Sequence, residues 1–225
     1  MSADDRTREV YERTTDRYVE AIGTTISTAV ESPADIAALR AFADRCLAAP
    51  VLDAGCGPGR AGRTVAATGA AVIGLDLART MVEVAAHGDD GLPAVQGSVT
   101  HLPFSSAAFG GVVAWYSVIH LAPQRLAGVW LDVARVLQPG APVLVAFQAG
   151  DGREITRQDA HGSGQTLTSY HHDPGNIASG LATAGLVGID TRVRPAELDH
   201  ESTPQAIISA TAPIDRDGST RARLR

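Results

Sequence analysis

The stretch Val51-Leu52-Asp53-Ala54-Gly55-Cys56-Gly57-Pro58-Gly59-Arg60 decides the fold. A short apolar run passes into three alternating glycines, and a helical pattern begins at Arg60. Glycine permits positive φ and lets a ligand approach the backbone. The start of a helix offers unpaired N–H groups. In an open parallel sheet, ligands bind beyond the carboxyl ends of the strands. A dinucleotide fingerprint needs glycine at the sixth position counted from Gly55, and Arg60 stands there. A P-loop needs a lysine, and the chain has none. It has an acid instead, Asp53, two residues before the first glycine. A carboxylate there suits a ligand with a cationic end, such as the ammonium of an amino acid, and repels a pyrophosphate.

Working outward, Val72-Ile73-Gly74-Leu75 reads as a second strand that closes on Asp76. An acceptor at that strand end can take hydrogen bonds from both hydroxyls of a ribose. Beyond it, apolar runs alternate with helical patterns. Strands are expected at Val51–Ala54 and at residues 71–75, 93–96, 111–115, 142–147, 186–194 and 205–211. Helices are expected at about residues 60–68, 78–86, 124–137 and 174–184. This alternation argues for a mainly parallel sheet covered on both faces. Upstream, residues 4–30 read as one helix, with Val10, Val19, Ile22 and Ile26 sharing a face. Pro33 suits the first turn of a second helix through about Leu47. Residues 148–172 read as an irregular excursion, and the tail from Pro213 as disordered.

Composition narrows the function. Hydrophobic residues make up 44% and charged residues 20% of 225, which is globular usage with room for one large α/β domain. No apolar run approaches the ~20 residues that span a bilayer. The charged N-terminus lacks a secretory core, so a cytoplasmic protein is expected. Cys46 and Cys56 form neither a disulfide framework nor a zinc pattern. A net charge of −6 gives no reason to expect nucleic acid as a partner. All 19 basic residues are arginine, which excludes Schiff-base chemistry. No metal site is expected, since His171, His172 and Asp173 have poor ligand spacing.

The sequence resembles the class I S-adenosylmethionine-dependent methyltransferases of the small-molecule type 11/25 kind. VLDAGCGPGR matches that family's first motif and GLDLARTMVEVA its second. QGSVTHLPFSSAAFGGVVAWYSVIHL matches the third and fourth, and ARVLQPGAPVLVAF the fifth. The likeness spans about residues 48–212. It implies an α/β, Rossmann-like fold: a seven-stranded, mainly parallel sheet with an antiparallel last strand and helices on both faces. It implies a helical lid over residues 1–48, a cofactor-binding domain over 49–212 and a tail over 213–225. It also implies S-adenosyl-L-methionine as cofactor. Carried over by position, Asp53, Gly55, Cys56, Gly57 and Gly59 line the methionine and ribose end. Asp76 holds the ribose, Leu77 and Met81 flank the adenine, and Ser98 and Val99 lie at its edge. Trp115 and Tyr116 border the methionine and the substrate, while Tyr11 and Tyr18 reach down from the first helix. The chain departs from the family at Ser98, usually Asp, and at Gly110, usually the Asp of an F-D pair.

The reacting groups are less determined. His120 reads either as a general base or as a residue shaping the pocket floor. His171, with His172, reads either as a surface pair or as part of a substrate-facing segment, and Tyr116 as a catalytic neighbour of the acceptor. Cys56 reads as a packing residue rather than a nucleophile. Methyl transfer is an in-line displacement with a neutral leaving group, so alignment and exclusion of water matter more than acid catalysis. The expected acceptor is an O or N atom of a small molecule in specialised metabolism, and the protein a monomer or homodimer. Two rivals stand beside this reading. One is a regulator or assembly subunit that keeps the fold and cofactor without catalysis. The other is a nicotinamide-dependent oxidoreductase, disfavoured by Asp53 and by Arg60 in place of glycine.

Overall fold

A computed structural model describes residues 2–88 and 90–214. The chain opens with α1 (Ala3–Ile22) and α2 (Pro33–Ala43). It continues through β1 (Val51–Ala54), α3 (Arg60–Ala66), β2 (Val72–Asp76), α4 (Arg79–Ala86) and β3 (Ala94–Gln96). Then follow β4 (Gly111–Trp115), α5 (Leu126–Val136), β5 (Pro142–Gln148), β6 (Glu154–Arg157) and β7 (Leu167–Tyr170). The last elements are α6 (Pro174–Thr183), β8 (Val187–Arg194) and β9 (Gln205–Thr211). Seven strands form one sheet in the order β3-β2-β1-β4-β5-β9-β8. β1 to β5 run parallel, and β9 lies antiparallel between β5 and β8. This is the expected mainly parallel sheet with an antiparallel last strand.

Side-chain alternation builds a core on each face. Leu52, Val112, Val143 and Val145 point to one face, beneath Trp130 and Val133 of α5 and Ile177 of α6. Val51, Val113, Leu144 and Ala146 point to the other, against Leu39 and Phe42 of α2 and Val65 of α3. Burial on both faces explains why β1, β4 and β5 read as continuous apolar runs. The order reverses between β1 and β4, which opens a crevice at their carboxyl ends.

Three expectations are corrected. The first helix ends at Ile22, not residue 30, because Gly23 takes φ +73° and its N–H caps Val19 O at 2.8 Å. Ile26 therefore packs on the α2–α3 core from a loop. The second helix stops at Ala43, four residues early. The excursion is not wholly irregular, since β6 and β7 pair as an antiparallel hairpin from Glu154↔Tyr170 to Arg157↔Leu167. Of the tail expected to be disordered, residues 215–225 lie outside the described residues.

Candidate cofactor and acceptor site

The crevice holds a cavity enclosing about 960 Å³ including its open mouth, a size suited to a small-molecule ligand. Its floor is the glycine turn. Gly55 follows β1 at φ +79°, and its N–H donates to Leu75 O at 2.7 Å. A Cβ at Gly55 would lie 2.2 Å from Ser117 Cβ, so only glycine lets this turn meet the segment after β4. Ser117 Oγ closes that contact by donating to Ala54 O at 2.5 Å. Gly57, at φ +51°, faces open space: a Cβ there meets nothing within 4 Å, which leaves the floor accessible to a ligand.

Asp53 and Asp76 both line this cavity. Asp76 Oδ2 accepts from Gly57 N–H at 2.8 Å and Oδ1 from Ala78 N–H at 2.9 Å, which fixes the carboxylate across the floor. Burial raises its pKa against the pull of those N–H groups. Asp53 is fully buried; its Oδ2 accepts from Gly62 N–H at 2.8 Å, and its Oδ1 has no hydrogen-bond partner among the described residues. Burial pushes its pKa up to about 7, the one α3 amide opposing it. An unpartnered buried carboxylate oxygen is costly, and a cationic ligand group would satisfy it.

The apolar wall comprises Leu77, Met81, Val99 and Trp115, with Cys56 and Ser98 beside them. Ser98 Oγ shares a hydrogen bond with Thr100 Oγ1 at 2.8 Å. Cys56 is buried, and burial holds its thiol well above the ordinary range, so it packs rather than reacts. Tyr116 adopts φ +54°, a conformation a bulky residue keeps only under constraint. Burial raises its phenol far above the usual range, so Tyr116 can donate a hydrogen bond but not accept a proton at neutral pH.

α1 forms the roof. Tyr11 and Tyr18 pack edge-to-face, centroids 5.5 Å apart, and both line the cavity. Tyr11 OH lies 2.8 Å from His120 Nε2, and His120 Nδ1 lies 2.8 Å from Thr168 O. A carbonyl only accepts, so Nδ1 carries the proton and Nε2 presents its lone pair to the Tyr11 hydroxyl. The hairpin β6–β7 thereby sets the tautomer of a cavity residue. Arg17 Nη1 donates to Gly162 O at 2.6 Å, and Arg125 grips Asp4 with both Nη atoms, tying α1 to the rest of the fold.

Fourteen of the sixteen residues expected in the site thus surround one cavity: Tyr11, Tyr18, Asp53, Gly55, Cys56, Gly57, Asp76, Leu77, Met81, Ser98, Val99, Trp115, Tyr116 and His120. Gly59 does not line it. At φ +90° it starts α3, and a Cβ there would press on the Arg63 guanidinium at 2.5 Å. His171 does not line it either: it is buried, with its Cβ and carbonyl against Gly150. His172 is buried, with Nε2 near Val118 O at 3.1 Å. Arg60, Ser117, Asp4 and Arg8 line the cavity and were not anticipated. Arg60 was visible only as the residue that spoils a dinucleotide fingerprint.

Comparison with known proteins agrees with this geometry. Residues 51–140 match the family model of a methyltransferase domain. The demethylmenaquinone methyltransferase of Tropheryma whipplei (strain Twist) is 34% identical over 97 residues, 42% of this chain and 40% of that one. The chain therefore spans about two fifths of the length of this curated relative. The Burkholderia thailandensis 1,6-didemethyltoxoflavin-N1-methyltransferase, solved with S-adenosylhomocysteine, superposes with TM-score 0.67 at 19% identity, over 94% of this chain and 88% of that one. The cyclase SpnF superposes with TM-score 0.71 at 15% identity, over 94% and 97%. At these identities the structural likeness is one of fold. Residues 51–140 thus match a methyltransferase domain in sequence, and the whole chain shares the Rossmann-like fold of these solved structures.

Proposed function

We propose that the protein binds S-adenosyl-L-methionine in this cavity and transfers its methyl group to an O or N atom of a small molecule. The supporting observation is that Asp53 and Asp76 face one crevice, with Asp53 Oδ1 buried and unpartnered among the described residues. The donor set fits the cofactor. Asp53 suits its ammonium, Asp76 its ribose hydroxyls, and Leu77, Met81 and Val99 its adenine. When bound, the cofactor supplies an electrophilic methyl on a sulfonium sulfur. The residues of the chain align and shield. Tyr11 and Tyr18 cover the cavity and exclude water, and Trp115 and Tyr116 border the acceptor. His120, with Nδ1–H held by Thr168 O, keeps Nε2 ready to take a proton from a hydroxyl acceptor. Residues 1–48 serve as the lid and 49–212 as the catalytic domain. We read the protein as cytoplasmic, acting as a monomer or homodimer without nucleic acid. Among the described residues no helix is long and apolar enough to cross a membrane.

One observation favours a non-catalytic cofactor-binding protein: the His120 nitrogen that would act as base already faces Tyr11 OH. Calorimetry with S-adenosylhomocysteine and with NADH tests the cofactor, and single-turnover transfer of a labelled methyl to a panel of phenols and amines tests the reaction. Binding of S-adenosylhomocysteine together with labelled product supports the proposal. Binding of NADH alone refutes it, and binding without transfer to any acceptor favours the regulator.

A further inference from the structure

The amino-acid end of the proposed cofactor is a zwitterion, yet Asp53 can satisfy only its ammonium. Its carboxylate needs a cation inside the same cavity. The lysine-free chain brings two arginines to the lining, Arg8 and Arg60. Arg8 is half exposed and pairs with Asp5 at 2.9 Å. Arg60 is buried at 8% exposure, and a buried cation is screened far less than an exposed one. Its guanidinium is held on one side only. Nη2 sits 2.8 Å and 2.7 Å from the two oxygens of buried Glu31, and Nε donates to Thr25 O at 3.3 Å. Nη1 makes no hydrogen bond to any described residue. Asp53 and Arg60 thus flank the glycine floor with one orphan acceptor and one spare donor.

We propose that Arg60 is the carboxylate anchor of the cofactor, forming with Asp53 a two-charge clamp that reads its amino-acid end. This inference rests on the cofactor reading above. Glu31 acts as a positioning residue. It stands in the segment between α1 and α2 and holds the guanidinium at the cavity wall through Nη2, leaving Nη1 for the ligand, which ties that segment to the cofactor subsite. A fixed guanidinium presents a planar donor edge that an ammonium cannot copy, so Arg60→Lys is not conservative here.

The test compares three ligands by calorimetry: S-adenosylhomocysteine, its decarboxylated analogue, which keeps the amine, and methylthioadenosine, which carries neither charge. The wild-type protein should bind S-adenosylhomocysteine about ten- to hundredfold tighter than the decarboxylated analogue. In Arg60→Met that gap should close, while methylthioadenosine affinity stays unchanged and reports an intact fold. Arg60→Lys should fall between the two. Removing Arg60 strands Glu31 in the interior, so Arg60→Gln combined with Glu31→Gln replaces the single variant if Arg60→Met does not fold. A gap that survives the loss of the guanidinium overturns the proposal, as does an equal loss for all three ligands. Should the wild-type protein bind none of them, the cofactor reading itself falls and takes the clamp with it.

Discussion

Asp53 carries the most chemistry per atom in this molecule. Its carboxyl titrates at about 7 rather than at 3.8 because it is buried with one amide donor. The folded chain holds this proton more tightly than the unfolded chain. The contribution of Asp53 to the stability of the ligand-free protein is therefore full below about pH 4 and drains away as pH rises toward 7. Ligand binding runs the other way, since an ammonium needs the carboxylate. Affinity for S-adenosylhomocysteine should fall about tenfold per unit as pH drops below 7, a slope that calorimetry from pH 5.5 to 8 will measure. Asp53→Asn should abolish the slope and lower affinity at pH 8 about ten- to hundredfold. For His120, oriented by Thr168 O, His120→Gln should leave S-adenosylhomocysteine affinity within about twofold. With a hydroxyl acceptor it should lower kcat about a hundred- to ten-thousandfold, as expected for loss of a general base. Asp53, Asp76, Gly55 and Gly57 were legible because their spacing places them at neighbouring strand ends, whereas Gly59 starts α3 instead of lining the cavity. Arg60 was not, since its role depends on Glu31, 29 residues earlier, folding back beside it. His171 was misplaced because nothing in TSYHHDP says which side of the excursion a given side chain takes.

At the level of elements, the sheet strands and the helices after β1 could be read because apolar burial imposes a period on them. The hairpin β6–β7 could not. Its residues Glu154, Thr156, Arg157 and Thr168 are polar, and β6 is largely exposed, so no hydrophobic alternation marks it. Its pairing is held by the backbone ladder and by contact with α1, both long-range facts. The same contacts anchor α1. Arg125 and Asp4 are 38% and 26% exposed at their side chains, so their pair is a half-screened surface contact. Arg125→Ala should cost less than about 1 kcal/mol of global stability in a denaturant titration. It should nevertheless speed hydrogen exchange across residues 3–10, because that turn loses its bidentate tie. Unchanged exchange there would mean that the remaining contacts of α1 suffice to hold its first turns.

Taken whole, the molecule is a two-faced sheet whose binding crevice lies where strand order reverses, so ligand and fold stability are linked. A ligand present at a hundredfold its dissociation constant adds about 2.7 kcal/mol to the folded state. For a chain of this size that raises Tm by about 5–10 °C, and S-adenosylhomocysteine should do so in a thermal melt while NADH should not. The mainly parallel sheet was legible from the alternation of strands and helices, but the order of its strands was not. The antiparallel sense of β9 came only from the family likeness, and its insertion between β5 and β8 was not legible, because chain order alone does not say which neighbours a late strand joins. That place has a consequence for biosynthesis. β9 leaves the ribosome after every other strand of this sheet, yet it is inserted between β5 and β8 rather than added at the rim. Until residue 211 emerges, the apolar strand β5 presents an open edge, the kind of surface on which nascent chains pair with one another. A chain halted before Gln205 would keep its crevice-forming half and still be prone to aggregate, so closure of this sheet turns on residues 205–211.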